Sequence, residues 1–364
     1  MKIKIEKNEL LKKVRAAIQG VPSRTTMPIQ ECIAIVAKDG EVTFTANSIA
    51  IGVKTVAEGS IIEEGLAAVD AKTFSGFAGK LPDGTVTLSC NDKRELSVVC
   101  GKTKLKASGM EPGEFSFLKD AAFGTSVCVK QPEFRDALKG VLIAIPDNDN
   151  NKAMACVQVK AVSGEMTLTA LDGHRIARRT LQADGPDADI LIPGDMLKKL
   201  LPLLSGKEGS MEITVMDNSA QFSFGDTTVH LQSVSEKYFD VDRMIESSYP
   251  VNVRVNKMNL LETVDRAMLF QSEASSMPLI LDVRDDSVNA SAKSYAGGMS
   301  EDIDAEKTGS DLKIGFNPKF VLDALKEIDD EEISLELGSS KSPCVIRGDG
   351  YLHLILPVNI NAAA

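Results

Sequence analysis

One hydrophobic pattern recurs three times along the chain. Glu6–Ile18, Lys130–Leu142 and Asn256–Met268 each follow a short run of alternating apolar and polar residues, and each then spaces its apolar residues three and four apart. Leu10, Leu11, Val14, Ala17 and Ile18 form the stripe of the first stretch, Phe134, Ala137, Leu138 and Val141 that of the second, and Leu260, Leu261, Val264 and Met268 that of the third. Such spacing places the apolar side chains on one face of a helix, whereas strict alternation belongs to a half-buried strand. A second helical stretch recurs in each copy. Segments 70–81, 193–204 and 317–328 follow "GLAAV", "DILI" and "LKIGF" and lead into "GTVTLSC", "SMEITVM" and "EEISLEL". Phe74, Leu197 and Phe320 hold equivalent places in these stretches and are evenly spaced along the chain.

Each copy therefore reads as strands, helix, strands, helix, strands, punctuated by the turn signals "KDGE", "PDGT", "DNS" and "RGDG". The fold class is α+β: three similar tandem domains, 1–120, 121–249 and 250–364, each with two helices backing antiparallel sheet. A chain of 364 residues is long enough for two or three such cores.

Composition narrows the function without deciding it. Six cysteines (Cys32, Cys90, Cys100, Cys128, Cys156 and Cys344) lie scattered, with no metal-ligand spacing, several in apolar runs such as "LSVVC", and read as buried, reduced thiols. "MKIKIEKNELLKK" lacks the apolar core of a signal peptide, and no run approaches the length of a membrane span, which points to a cytoplasmic protein. A net charge of −11 argues against nucleic acid unless the cations are segregated. The helical stretches do carry a small positive sum, mainly from Lys12, Lys13, Arg15, Lys72, Lys80, Lys198 and Lys199. A weakly positive wall of that kind touches phosphates and does not read bases.

"TALDGHRIA" (Thr169–Ala177) packs Asp172, His174 and Arg175 together after a strand. It allows a catalytic or metal reading, but His230 and His353 lie in apolar alternating strands with no carboxylate pattern beside them. It also reads as a plain turn made by Asp172 and Gly173, with His174 and Arg175 on the surface.

The full length resembles the bacterial sliding clamp family, the beta subunit of DNA polymerase III. "RTTMPI" (Arg24–Ile29), "LDGHRIA", "IGFNPKFVLDAL" and the closing "HLILPV" carry the resemblance. It implies a non-catalytic processivity factor in the DNA clamp fold, without cofactor or metal. Two chains would join head to tail, through edge strands of the first and third domains, into a homodimer ring around duplex DNA. The implied partners are the DNA polymerase III catalytic subunit, a clamp loader complex and other replication and repair proteins with a clamp-binding peptide; no membrane is implied. The matching peptide-pocket residues are Met154, Leu171, Gly173, His174, Arg175, Ile176, Ile245, Leu354, Leu356 and Pro357. Aliphatic walls, a deformable methionine and a glycine that admits a backbone suit that role. The matching DNA contacts are Arg24, Lys72 and Asn148, with Lys198 and Lys199 as substitutes in the middle repeat.

This chain departs from the family pattern at Leu171, where the family has threonine, at Asp240, commonly proline, and at Asn359, an arginine. Asp240 would set a charge near an apolar pocket. The alternative implied is a divergent, clamp-like accessory ring with altered partner specificity, such as a second or mobile-element copy.

Overall fold

The computed structural model describes residues 1–118, 123–147, 151–271, 277–295 and 297–360. Its helices fall where the periodicity places them: α1 (Lys7–Ala17), α2 (Ala71–Lys80), α3 (Gln131–Leu142), α4 (Gly194–Leu200), α5 (Lys257–Met268) and α6 (Pro318–Lys326). Their starts are written in the sequence. The Asp70 side chain accepts from Thr73 N, Asn256 from Asn259 N and Asn317 from Lys319 N, each satisfying a backbone donor that the first turn leaves open. Pro318 adds a fixed φ at the first position of α6. Helix α4 is shorter than its counterparts, because Pro202 supplies no N–H and the chain continues as the tighter turn Leu201–Leu203.

The described residues form two compact units, residues 1–135, 161–164 and 182–235 in one and 136–160, 165–181 and 236–364 in the other. In the first unit, Leu10, Val14 and Ala17 of α1 and Phe74 and Ala78 of α2 are buried with Ile3, Ile5 and Phe44 of the sheet. In the second, Leu260 and Val264 of α5 and Val321 and Leu325 of α6 are buried with Val253, Leu281 and Phe316. Each Val, Leu, Ile or Phe among them contributes about 1.5–3 kcal/mol when fully buried.

Hydrogen-bonded sheet explains why the units do not follow the repeats. In the first unit, Thr227–Gln232 of the middle repeat pairs antiparallel with Ile51–Ala57 of the first, joining Thr227 to Thr55 and Leu231 to Ile51. In the second, Arg175–Gln182 of the middle repeat pairs with Tyr351–Ile355 of the third. The middle repeat thus contributes strands to both units.

Two expectations about individual side chains are corrected. Cys128 is exposed and Cys90 only half-buried, although all six cysteines are free as read. Cys128 occupies the outward register of Thr125–Lys130, between buried Val127 and Val129. Lys13 is not part of a solvated cationic face: its side chain is 1% exposed, pairs with Asp226, and lies 3.4 Å from Glu9. Asp226 also accepts from Thr55 Oγ1 at 3.2 Å and from Thr227 Oγ1 at 2.9 Å. Burial opposes ionisation of Asp226, but the hydrogen bonds from Lys13 and Thr227 outweigh it and lower its pKa.

His353 shows the reverse case. It is 2% exposed on the strand beneath α6, and burial, with Arg179 and Arg175 nearby, pushes its pKa down to about 3. Between about 3 and the ordinary value of 6.5 the neutral form prevails only in the folded chain, so the contribution of this residue is intact above 6.5 and is lost as pH falls from there toward about 3. Stability in that window should fall by up to about 1.4 kcal/mol per pH unit from this residue. Urea unfolding of His353→Leu at pH 7 and pH 5 should show a smaller acid loss than the parent; an equal loss would rule this out.

Candidate functional site

The "LDGHRIA" segment folds as a tight hairpin turn between the strands Glu165–Leu171 and Arg175–Gln182. Asp172 organises it. Its Oδ1 accepts from His174 N and Arg175 N, both at 3.0 Å, and its Oδ2 accepts from Arg175 Nε at 2.9 Å. Gly173 takes φ +81°, a conformation costly for residues with a Cβ, and a Cβ built there meets nothing within 4 Å. The turn therefore offers open backbone to solvent.

Arg175 is 8% exposed, which corrects the reading of it as a surface side chain. Besides Asp172 it donates from Nη1 to Asp323 Oδ2 at 2.8 Å, and its guanidinium lies 4.3 Å from the centre of the Phe320 ring. His174 stacks on the same ring, with centroids 6.0 Å apart and planes 23° from parallel. A buried arginine with two carboxylates and an aromatic face is a fixed post, since its geometry is over-determined by partners.

The closing strand completes the wall. Ile176 pairs with Leu354 and Arg175 with Ile355, and Leu356 N donates to His174 O at 2.8 Å. Leu171, Ile176 and Leu354 are buried, Pro357 is partly covered, and Leu356 stands 39% exposed beside the open turn. Met154 is half-buried just before the strand Cys156–Val162, with Ala153 N and Met154 N donating to Asn151 Oδ1. The segment carrying half-buried Ile245 is anchored by Tyr238, whose hydroxyl donates to Thr169 O at 3.1 Å, and by Arg178 Nη1 to Asp242 Oδ1 at 2.7 Å. Asp240 is paired with Arg243 Nε at 2.8 Å at the surface. Its charge is compensated there.

Among the DNA candidates, Arg24 and Lys72 are exposed, Lys72 in the first turn of α2. Lys198 is exposed and 3.4 Å from Asp195. Lys199 is half-buried, donates to Val21 O at 2.9 Å, and has its pKa lowered by desolvation, which makes it the least available of the four. Asn148 lies outside the described residues.

Family models of the DNA polymerase III beta subunit match the chain in three consecutive pieces: the N-terminal domain over residues 1–119, the central domain over 128–240 and the C-terminal domain over 243–358. The chain belongs to the DNA polymerase III beta subunit family. Beta sliding clamps of Staphylococcus aureus are 26% identical over 373 residues, covering 98% of this chain and 99% of theirs. A crystal structure described as a DNA polymerase III beta subunit from Eubacterium rectale is 36% identical, with a TM-score of 0.94 and coverage of 99% and 100%. That of the Bacillus subtilis sliding clamp is 26% identical, with a TM-score of 0.94 and coverage of 99% of both chains. The three-domain α+β clamp fold expected from the repeats holds. A sliding clamp is a non-catalytic processivity factor of replication, so Asp172 and His174 do not form a hydrolytic pair in it.

Sequence reasoning missed three residues of the clamp's candidate pocket. Phe320 and Asp323 sit on α6, where the repeat spacing marks Phe320 only as the counterpart of Phe74 and Leu197; those two are fully buried, whereas Phe320 is half-buried under Arg175. Met244, next to Ile245, is 46% exposed, and only its apolar character in a polar loop could have marked it.

Proposed function

We propose that this clamp captures, at the "LDGHRIA" turn, a short apolar peptide of the DNA polymerase III catalytic subunit, and in turn of the clamp loader and of other replication and repair proteins. The pocket is Met154, Leu171, Gly173, His174, Arg175, Ile176, Ile245, Leu354, Leu356 and Pro357, with domain boundaries near 120 and 250 and the chain working as a cytoplasmic homodimer ring on duplex DNA. One observation carries the reading: an aliphatic wall ending in exposed Leu356 flanks an open, positive-φ glycine on a turn that Arg175 holds rigid. A preorganised apolar surface of this kind loses little on binding, and a few apolar anchors from a flexible peptide give a dissociation constant of about 1 μM. Tethering through it raises the effective concentration of polymerase at the primer end. Asp240 compensated by Arg243 and Leu171 buried in the wall favour an unaltered partner class over the accessory-ring reading.

The DNA contacts proposed are Arg24, Lys72 and Lys198, with Lys199 and Asn148 secondary. Few contacts suit a sliding ring, because each phosphate contact adds to the salt slope and holds the ring in place. Clamp loaded onto nicked circular DNA should stay bound in high salt and be released on linearisation; equal release from the two would sink the ring reading. Arg24→Ala with Lys72→Ala should lower the slope of log K against log salt for DNA binding by about 2 without changing peptide binding. An unchanged slope would remove both residues from the DNA site.

A further inference from the structure

The first repeat rebuilds the turn of the pocket with the same hydrogen bonds. Asp172 N donates to Arg175 O at 3.2 Å, and Ser48 N to Ile51 O at 2.8 Å. Leu356 N donates to His174 O at 2.8 Å, and Gln232 N to Ala50 O at 3.0 Å. Arg175 pairs with Ile355 and Arg179 with Tyr351; Ile51 pairs with Leu231 and Thr55 with Thr227. Every partner is displaced by the same number of positions. Asn47, Ser48, Ile49 and Gly52 therefore stand where the pocket has Leu171, Asp172, Gly173 and Ile176. A cavity of about 150 Å³ lies at this turn, lined by Met27, Ile29, Asn47, Ile49, Phe115 and Ser116. Its rim is apolar and open, with Met27 51% and Ile49 84% exposed.

What differs is that the chain covers this turn itself. Asn47 Nδ2 donates to Ser116 O at 2.8 Å, so the backbone of residues 115–118 is held across the turn. Phe115 is buried with Ile29, Cys32, Ala34 and Ala68. Leu118 lies on Gly52, where any Cβ would collide with the Leu118 side chain and with Asn47 Oδ1. The pocket carries the bulk of Ile176 at that position; the first repeat carries none, and a leucine of its own fills the space. Two apolar side chains around a backbone carbonyl captured by the turn are what an apolar peptide would offer from outside.

We infer that the first repeat holds a second, latent site for a short apolar peptide, closed by the chain's own Phe115–Leu118 segment. The inference rests on the reading of the open pocket as a peptide site. Its consequence is one bound peptide per protomer although the fold contains two such turns. The test titrates a labelled Gln-Leu-Ser-Leu-Phe peptide into the full-length protein, into Leu356→Asp, and into Leu356→Asp with Leu118→Ala, checking the fold of each by thermal unfolding. The parent should bind one peptide per protomer and Leu356→Asp none. The double variant should regain saturable binding, roughly tenfold to a hundredfold weaker than the parent. Binding by the parent without recovery in the folded double variant overturns the latent site alone, whereas failure of the parent to bind overturns the open pocket. If Leu118→Ala does not fold, Leu118→Val in the same background, which shortens the side chain lying on Gly52 and keeps Asn47 in place, is titrated instead, with the same outcomes deciding.

Discussion

Leu356→Asp should weaken binding of a clamp-binding peptide by about a hundredfold or more, equivalent to about 2.7 kcal/mol, while leaving the protein folded. The two halves of that expectation have separate causes. The residue is held by its backbone, through Leu356 N to His174 O, so the strand ending keeps its place when the side chain changes. The side chain itself is 39% exposed and faces solvent in the free protein, so a carboxylate there costs the fold little. On binding, the same carboxylate would be pressed against apolar anchors without a compensating cation, because Arg175 is committed to Asp172 and Asp323. Fluorescence titration beside thermal unfolding checks both halves. Tight binding by the variant would remove Leu356 from the contact surface.

The second large effect concerns stability. Asp226→Ala should lower the unfolding free energy by about 2–3 kcal/mol, because it leaves the ammonium of Lys13 buried with Glu9 as its remaining carboxylate. Lys13→Met, which removes the charge and keeps the apolar stem, should cost less than about 1 kcal/mol, since the carboxylate left behind is 41% exposed and keeps Lys12 at 3.7 Å and its bonds from Thr55 and Thr227. The pair ties α1 of the first repeat to the turn before Thr227–Gln232 of the middle repeat, so the loss should be cooperative across the first unit. Asp226 is the group whose pKa is lowered on folding, so its contribution is present above the ordinary carboxylate value of 3.8 and fades as pH falls below it. Denaturant unfolding of both variants at pH 7 decides the matter; equal losses would mean that the attraction between the two charges, and not the stranding of a buried ammonium, carries the stability.

The helices were legible because amphipathic periodicity is local, and their caps Asp70, Asn256 and Asn317 stand where the pattern starts. The pocket turn was legible as a turn for the same reason: Asp172 and Gly173 act on neighbours two and three residues away. Side-chain partners drawn from other repeats were not. Nothing local shows that Lys13 meets Asp226 or that Arg175 meets Asp323 and Phe320, and each of those contacts turns an apparent surface cation into a buried one. Ladders between repeats, such as Ile51 with Leu231, were hidden likewise, and they regroup three similar sequence units into two compact ones. The tie from Lys199 to Val21 O was invisible by the same logic.

The most direct measurement is the titration of the unmodified protein with the labelled Gln-Leu-Ser-Leu-Phe peptide. Saturable binding at about 1 μM, competed by the unlabelled peptide, is the predicted result. A folded protein that shows no saturation up to about 1 mM would contradict the pocket as described, Leu171 included.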